Sequence, residues 1–249
     1  MARTTLPPGD EDAGAGPVRT RWMPIGPEPR HEGYLALPPA GRGPGLLLYQ
    51  EIVGVNSHIR ALARLWALHG FTVLAPDVFW RQARRVQLDY AGAGRERGMA
   101  MMHALQPAEM QADAQAAVAA LRALPEVAGG RVGTMGFCLG GLLAYVACAA
   151  TDVDAGIAYY GGGIDDRLAL AAAIRAPMQF HYAGRDVHIP PQAVDRIRAA
   201  MGPRADVFVY QDAPHGFNCW ERSAYHPASA ALAHGRSLAF LAGKLFGTA

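Results

Sequence analysis

The chain has 249 residues, 51% of them hydrophobic and 18% charged, and a formal net charge of +2. That composition belongs to a globular protein with a large core and excludes a disordered chain. The near-neutral balance and the lack of a basic cluster argue against nucleic acid as a partner.

The first residues, Met1 to Pro17, are rich in Pro, Gly and acidic side chains and have no apolar stretch. They are not a signal peptide and read as a disordered leader over 1–18, with one domain over 19–249. Two short segments, Arg19–Ile25 and Gly33–Leu37, predict an edge hairpin. Strands and helices then alternate. Gly45–Tyr49 is an apolar strand. Asn56 or Ser57 caps a helix with Ile59, Leu62, Leu65 and Trp66 on one face, and Gly70 ends it. Phe71–Ala75 is a strand. The stretch from Arg81 to Gln106 holds Gly92, Gly94 and Gly98 and shows no clear periodicity. Pro107 opens a long helix with Met110, Ala114, Val118 and Leu121 on one side.

Val132–Gly136, Ala155–Tyr160, Met178–Tyr182 and Val207–Tyr210 are further strands. Helices are expected after Cys138, from Pro190 or Pro191 to about Met201, and from about Pro227 to Leu245. Apolar strands separated by helices predict an α/β fold, a mostly parallel central sheet covered by helices on both faces. Ligands of such sheets bind beyond the C-terminal strand ends. The longest apolar run, Gly141 to Ala150, is too short to span a bilayer, so a membrane is not an expected partner. Three cysteines cannot pair completely, and about 15 Å of helix would separate Cys138 from Cys148. Reduced thiols fit a cytoplasmic location.

Gly136-Phe137-Cys138-Leu139-Gly140 stands where a strand gives way to a helix. A nucleophile there would sit on a tight turn, with the helix N-terminus favouring a thiolate. The bland reading is a cysteine buried for packing. The other strand ends weigh against it. A thiol nucleophile needs a base, and the base needs an orienting group. The chain offers Cys138, Asp186 and His215 in the order nucleophile, acid, histidine, the latter two each after a strand. His181 lies inside a strand and reads as packing, and His188 comes too early to be the base. Asp165 and Asp166 are weaker candidates for the acid.

The chain resembles the dienelactone hydrolase (carboxymethylenebutenolidase) family of α/β-hydrolases. The resemblance rests on Gln50-Glu51-Ile52-Val53-Gly54-Val55-Asn56, Ala75-Pro76-Asp77, Arg81-Gln82, Gly136 to Gly141, Tyr159-Tyr160-Gly161, Gly184-Arg185-Asp186 and His215-Gly216-Phe217. It implies the α/β-hydrolase fold and a metal- and cofactor-independent hydrolase of a small lactone or ester, a monomer or small homo-oligomer. Cys138 would attack the carbonyl, His215 would move the proton and Asp186 would hold His215. The backbone N–H groups of Ile52 and Leu139 would bind the oxyanion. Glu51 would pair with the resting thiol, keeping it protonated.

The resemblance also implies two arginines for a substrate carboxylate. Arg81 matches the first. The second is expected four residues after the histidine, where this chain has Cys219. Arg222 and Arg185 are the candidate substitutes, Arg222 the nearer in sequence to His215; without one the pocket holds anions less firmly, and the alternative is a hydrolase of uncharged esters with Arg81 a plain surface charge. Trp80, Tyr90, Tyr160, Phe217 and Trp220 are candidates for pocket lining or for core packing.

A glutamine amidotransferase also uses a Gly-x-Cys-x-Gly elbow, but no histidine here is followed by glutamate two residues on. Zinc motifs are absent from the sequence. The non-enzymatic alternative is an interaction protein on a hydrolase scaffold.

Overall fold

The structure, a computed structural model, describes residues 16–247. The expected leader lies outside them except for residues 16–18. The strands are β1 (Arg19–Pro24), β2 (Glu32–Leu37), β3 (Gly43–Tyr49), β4 (Thr72–Pro76), β5 (Val127–Phe137), β6 (Ala155–Tyr159), β7 (Met178–Ala183) and β8 (Ala205–Tyr210). They form one sheet in the order β1-β2-β4-β3-β5-β6-β7-β8. The expected hairpin is present: β1 pairs antiparallel with β2, which pairs antiparallel with β4. The remaining pairings are parallel. The parallel strands are apolar because both their faces are covered.

The helices are α1 (Ser57–Leu68), α2 (Gly92–His103), α3 (Pro107–Arg122), α4 (Leu139–Ala150), α5 (Pro191–Met201) and α6 (Pro227–Leu241). Successive strand residues point to opposite faces, which separates the layers. Gly45, level with Val132, lies under Leu121 of α3, whereas Gly133 lies under Leu241 and Leu245 at the C-terminal end. On that second face Trp66 of α1 packs on His234 of α6, with ring centroids 5.0 Å apart. Asn56 is the cap of α1: its side chain accepts from the Ile59 N–H at 3.2 Å.

Elements that differ most from the sequence reading are β5, the closing helix and the stretch before Pro107. β5 begins at Val127, because a Gly129-Gly130 stretch with positive φ continues the strand rather than ending a loop. The closing helix ends at Leu241 and widens into a π turn over Ala242–Phe246, which still buries Leu245. The stretch read as aperiodic contains α2, of which only Gly98 and Met101 are buried, so it carries no apolar stripe to detect.

Candidate active site

Cys138 stands between the last residue of β5 and the first of α4, with φ 55° and ψ −116°. Such a backbone costs of order 1–3 kcal/mol for a residue with a side chain and is held by its surroundings. Gly136 and Gly140 supply the holding. A Cβ on Gly136 would overlap the Gly140 carbonyl, and one on Gly140 would lie 2.5 Å from the Tyr49 carbonyl oxygen. Only glycines let α4 start this close to β3 and β5. The thiol is half-buried.

The candidate acid and base, Asp186 and His215, come from the ends of β7 and β8. The turn after β7 fixes Asp186: its Oδ1 accepts from the N–H groups of His188 at 2.8 Å and Ile189 at 3.3 Å. Its Oδ2 accepts from His215 Nδ1 at 2.7 Å. That bond selects the His215 tautomer and leaves Nε2 for the thiol. Burial works to lower the His215 pKa, but the hydrogen bonds to Asp186 and Cys138 outweigh it and raise it to about 10. The Tyr160 ring packs 5.0 Å from the imidazole, and the His188 ring stands edge-on at 5.3 Å.

The competing groups are engaged elsewhere. His181 is buried in β7 between Tyr210 Oη and Gln179 Oε1, each at 2.8 Å, and burial pushes its pKa down to about 3. It is a neutral core histidine. Asp165 is paired with Arg196 at 2.6 Å. His188 and Asp166 line the cavity above the thiol, and neither orients His215.

Glu51 follows β3 directly and is 1% exposed. Its Oε1 accepts from Arg222 Nη1 at 3.3 Å. This corrects the pairing implied by the resemblance: the buried carboxylate is held by Arg222 through Oε1, and its Oε2 has no hydrogen-bond partner among the described residues, the thiol included. Burial raises the Glu51 pKa, and Arg222, the nearby Tyr90 hydroxyl and His215 hold that rise back. Tyr90 is the hub of this corner. Its hydroxyl oxygen accepts from Asn56 Nδ2 at 3.0 Å and from the Cys219 thiol at 3.2 Å, and the Arg222 guanidinium lies over its ring. Cys219 is fully buried, and burial pushes its pKa up to about 12. It is a neutral thiol pinned to Tyr90.

Above Cys138 opens a cavity of about 480 Å³. Glu51, Ile52, Leu139, His215 and Arg222 line it with the thiol, so the structure brings these expected site residues together. A shallower groove of about 690 Å³ beside Arg122 and Asp152 contains no thiol and no histidine. Among the described residues no group of three or more His, Cys, Asp or Glu side chains could hold a metal. No described helix is long and apolar enough to cross a membrane.

The profile of the dienelactone hydrolase family matches residues 31–245. The chain belongs to the dienelactone hydrolase family. It is 33% identical over 208 residues to a carboxymethylenebutenolidase of Pseudomonas putida, covering 82% of this chain and 88% of the relative. It is 30% identical over 215 residues to carboxymethylenebutenolidase 1 of Cupriavidus pinatubonensis, covering 86% and 92%. A solved structure from Klebsiella pneumoniae, described as a candidate dienelactone hydrolase, superposes with a TM-score of 0.80 at 26% identity, covering 90% of this chain and 98% of that one. The sheet order, the elbow and the helical layers are those of the α/β-hydrolase fold.

In this dienelactone hydrolase family member, Arg81 is not part of the cavity lining. Its guanidinium is clamped on Asp113 at 2.5 and 2.9 Å and stacks on Trp80. Trp80 in turn stacks on His31, and Tyr160 and Phe217 are buried beneath the site rather than lining it. Arg185 pairs with Asp212 on the surface. Sequence reasoning did not place Arg95, Met99, Met102 and His103 of α2 in the cavity wall, nor Arg167. Their spacing on a glycine-rich segment carried no apolar signal.

Proposed function

We propose that this protein hydrolyses a small lactone or ester with Cys138 as nucleophile. The observation that carries the reading is the Asp186–His215 hydrogen bond at the edge of a cavity that His215 lines together with Cys138, whose thiol stands on a strained elbow. The names of the Pseudomonas and Cupriavidus relatives support the same reaction class.

Asp186 holds His215 with Nε2 toward sulfur, and His215 takes the thiol proton. The thiolate attacks the carbonyl carbon, and the carbonyl electron pair moves onto oxygen. The Leu139 N–H, first in α4 and without an intrahelical acceptor, and the Ile52 N–H stabilise that oxyanion. Collapse breaks the carbon–oxygen bond of the ester, His215 protonates the leaving oxygen, and a thioester remains on Cys138. A water then gives its proton to His215 and its oxygen to the acyl carbon, which frees the acid and the thiol.

Glu51 lines the cavity beside the Asp186–His215 pair. Its buried carboxylate holds Arg222, and a substrate carboxylate arriving at Arg222 would compete for the same guanidinium.

Initial rates on a dienelactone and on an uncharged aryl ester, with wild type and Cys138→Ala, test the reading. Turnover of either by wild type, lost in the variant, is expected. Full activity in Cys138→Ala overturns the thiol mechanism.

A further inference from the structure

α2 forms one wall of the cavity, and two of its stripes do different things. Gly98 faces the body of the protein, and Gly94, one turn earlier, packs on the loop that leads into the helix. A Cβ on Gly94 would lie 2.6 Å from the Asp89 nitrogen. One on Gly98 would overlap the Ile52 carbonyl oxygen and lie 3.2 Å from its carbon. The helix backbone therefore rests directly on the turn that carries the Ile52 N–H. Gln82 Nε2 adds a hydrogen bond to the Met101 carbonyl at 2.9 Å.

The second stripe follows from the first. With 94 and 98 in these contacts, positions 95, 99 and 102 share the adjoining face by the i, i+4, i+7 rule. Arg95, Met99 and Met102 all line the cavity. The cations around the thiol are not equivalent. Arg222 is held by Glu51, and Arg167 donates to the Gly163 carbonyl at 2.9 Å. Arg95 makes no ion pair among the described residues. Asp166 is the acidic group on the wall besides Glu51. Thioethers adapt to irregular apolar shapes, and a guanidinium takes a carboxylate in two hydrogen bonds.

We propose that the Arg95–Met99–Met102 stripe of α2 is the surface that selects the substrate, receiving the part remote from the scissile carbonyl and favouring an apolar body that ends in an anion. This rests on the hydrolase reading but can be measured without turnover. Cys148 and Cys219 are buried, so iodoacetamide reports on Cys138. The experiment is protection of Cys138 from iodoacetamide by 4-phenylbutyrate and by its neutral amide, each titrated against wild type, Arg95→Gln, Met99→Ala and Arg97→Gln. Arg97 is an exposed residue of the same helix outside the cavity lining.

Wild type is expected to be protected by the carboxylate at about tenfold lower concentration than by the amide. Arg95→Gln brings the two within about twofold, Arg97→Gln keeps the wild-type ratio, and Met99→Ala weakens both ligands severalfold. An unchanged alkylation rate without protectant shows that each variant retains its site. Equal protection in wild type, or a preference that survives Arg95→Gln, overturns the proposal. A wild type that shows this pattern yet hydrolyses no ester overturns the hydrolase reading instead.

Discussion

Arg222 reaches Glu51 across Gly216. Gly216 has φ +83°, and a Cβ there would meet the Arg222 guanidinium, 2.8 Å from its central carbon. The residue next to His215 is thus shaped for the cation that pairs with the buried carboxylate. Arg222→Gln would leave Glu51 charged and unpaired in the interior, at a cost of about 3 kcal/mol. A further rise in the Glu51 pKa is expected, with a lower Tm in Arg222→Gln and partial recovery in the double variant with Glu51→Gln. Thermal melts at pH 7 and pH 5 check both.

Gly216→Ala meets two penalties at once, a left-handed backbone and a methyl in the path of Arg222. Strain of this kind costs about 1–3 kcal/mol. The Tm should fall by several degrees, and the rate of Cys138 alkylation should change because His215 is the preceding residue. A variant indistinguishable from wild type in both would show that Arg222 does not depend on this glycine.

Asp186→Asn keeps the side-chain shape and its Oδ1 acceptor for the turn, but the other terminal atom becomes an N–H donor facing His215 Nδ1. The imidazole would turn its proton the wrong way for the thiol. By the precedent of hydrolytic triads, kcat should fall about 10³–10⁴-fold with the fold retained. The pH profile of Cys138 alkylation should move with it.

His215 also ties stability to pH. Its folded pKa is raised, to about 10 from 6.5. A histidine raised on folding contributes stability fully below the unfolded value, and that contribution is lost as pH rises through the folded one. Stability should therefore decline between about pH 6.5 and pH 10. Each 1 kcal/mol lost lowers Tm by about 2–4 °C in a chain of this size. Carbamidomethylation of Cys138 removes one of the two groups that raise the pKa, so the slope should flatten in the alkylated protein. Melts across that window, before and after alkylation, measure the difference.

Arg81→Gln should leave KM for a carboxylate-bearing lactone within about twofold, because its guanidinium serves Asp113 outside the cavity. Loss of a partly exposed ion pair costs about 1 kcal/mol or less. A tenfold rise in KM would place Arg81 back in the site.

Much of this protein could be read locally. Alternating apolar strands and capped helices specify a parallel sheet, because both faces of each strand must be covered. The elbow was legible because only glycines at 136 and 140 allow a helix to start against two strands. Asp186 and His215 were legible from chain order, since each follows a strand end in the same sheet. α2 was not, because a helix fixed by glycine backbone contacts has no hydrophobic period to reveal it.

The pairing of charges lay wholly outside local reading. Arg81, Arg185 and Arg222 each stood as a candidate for an anion, and no local pattern says which carboxylate each would meet. Folding set Arg81 on Asp113, Arg185 on Asp212 and Arg222 on Glu51, and left Arg95 facing the cavity. Backbone periodicity and turn chemistry act over a few residues, so the chain order of the elements and the glycine-flanked turn at Cys138 were determined by the sequence alone. A salt bridge forms between groups far apart in the chain once packing brings them within a few ångströms, so the tertiary structure alone decided which cations are paired and which face the cavity.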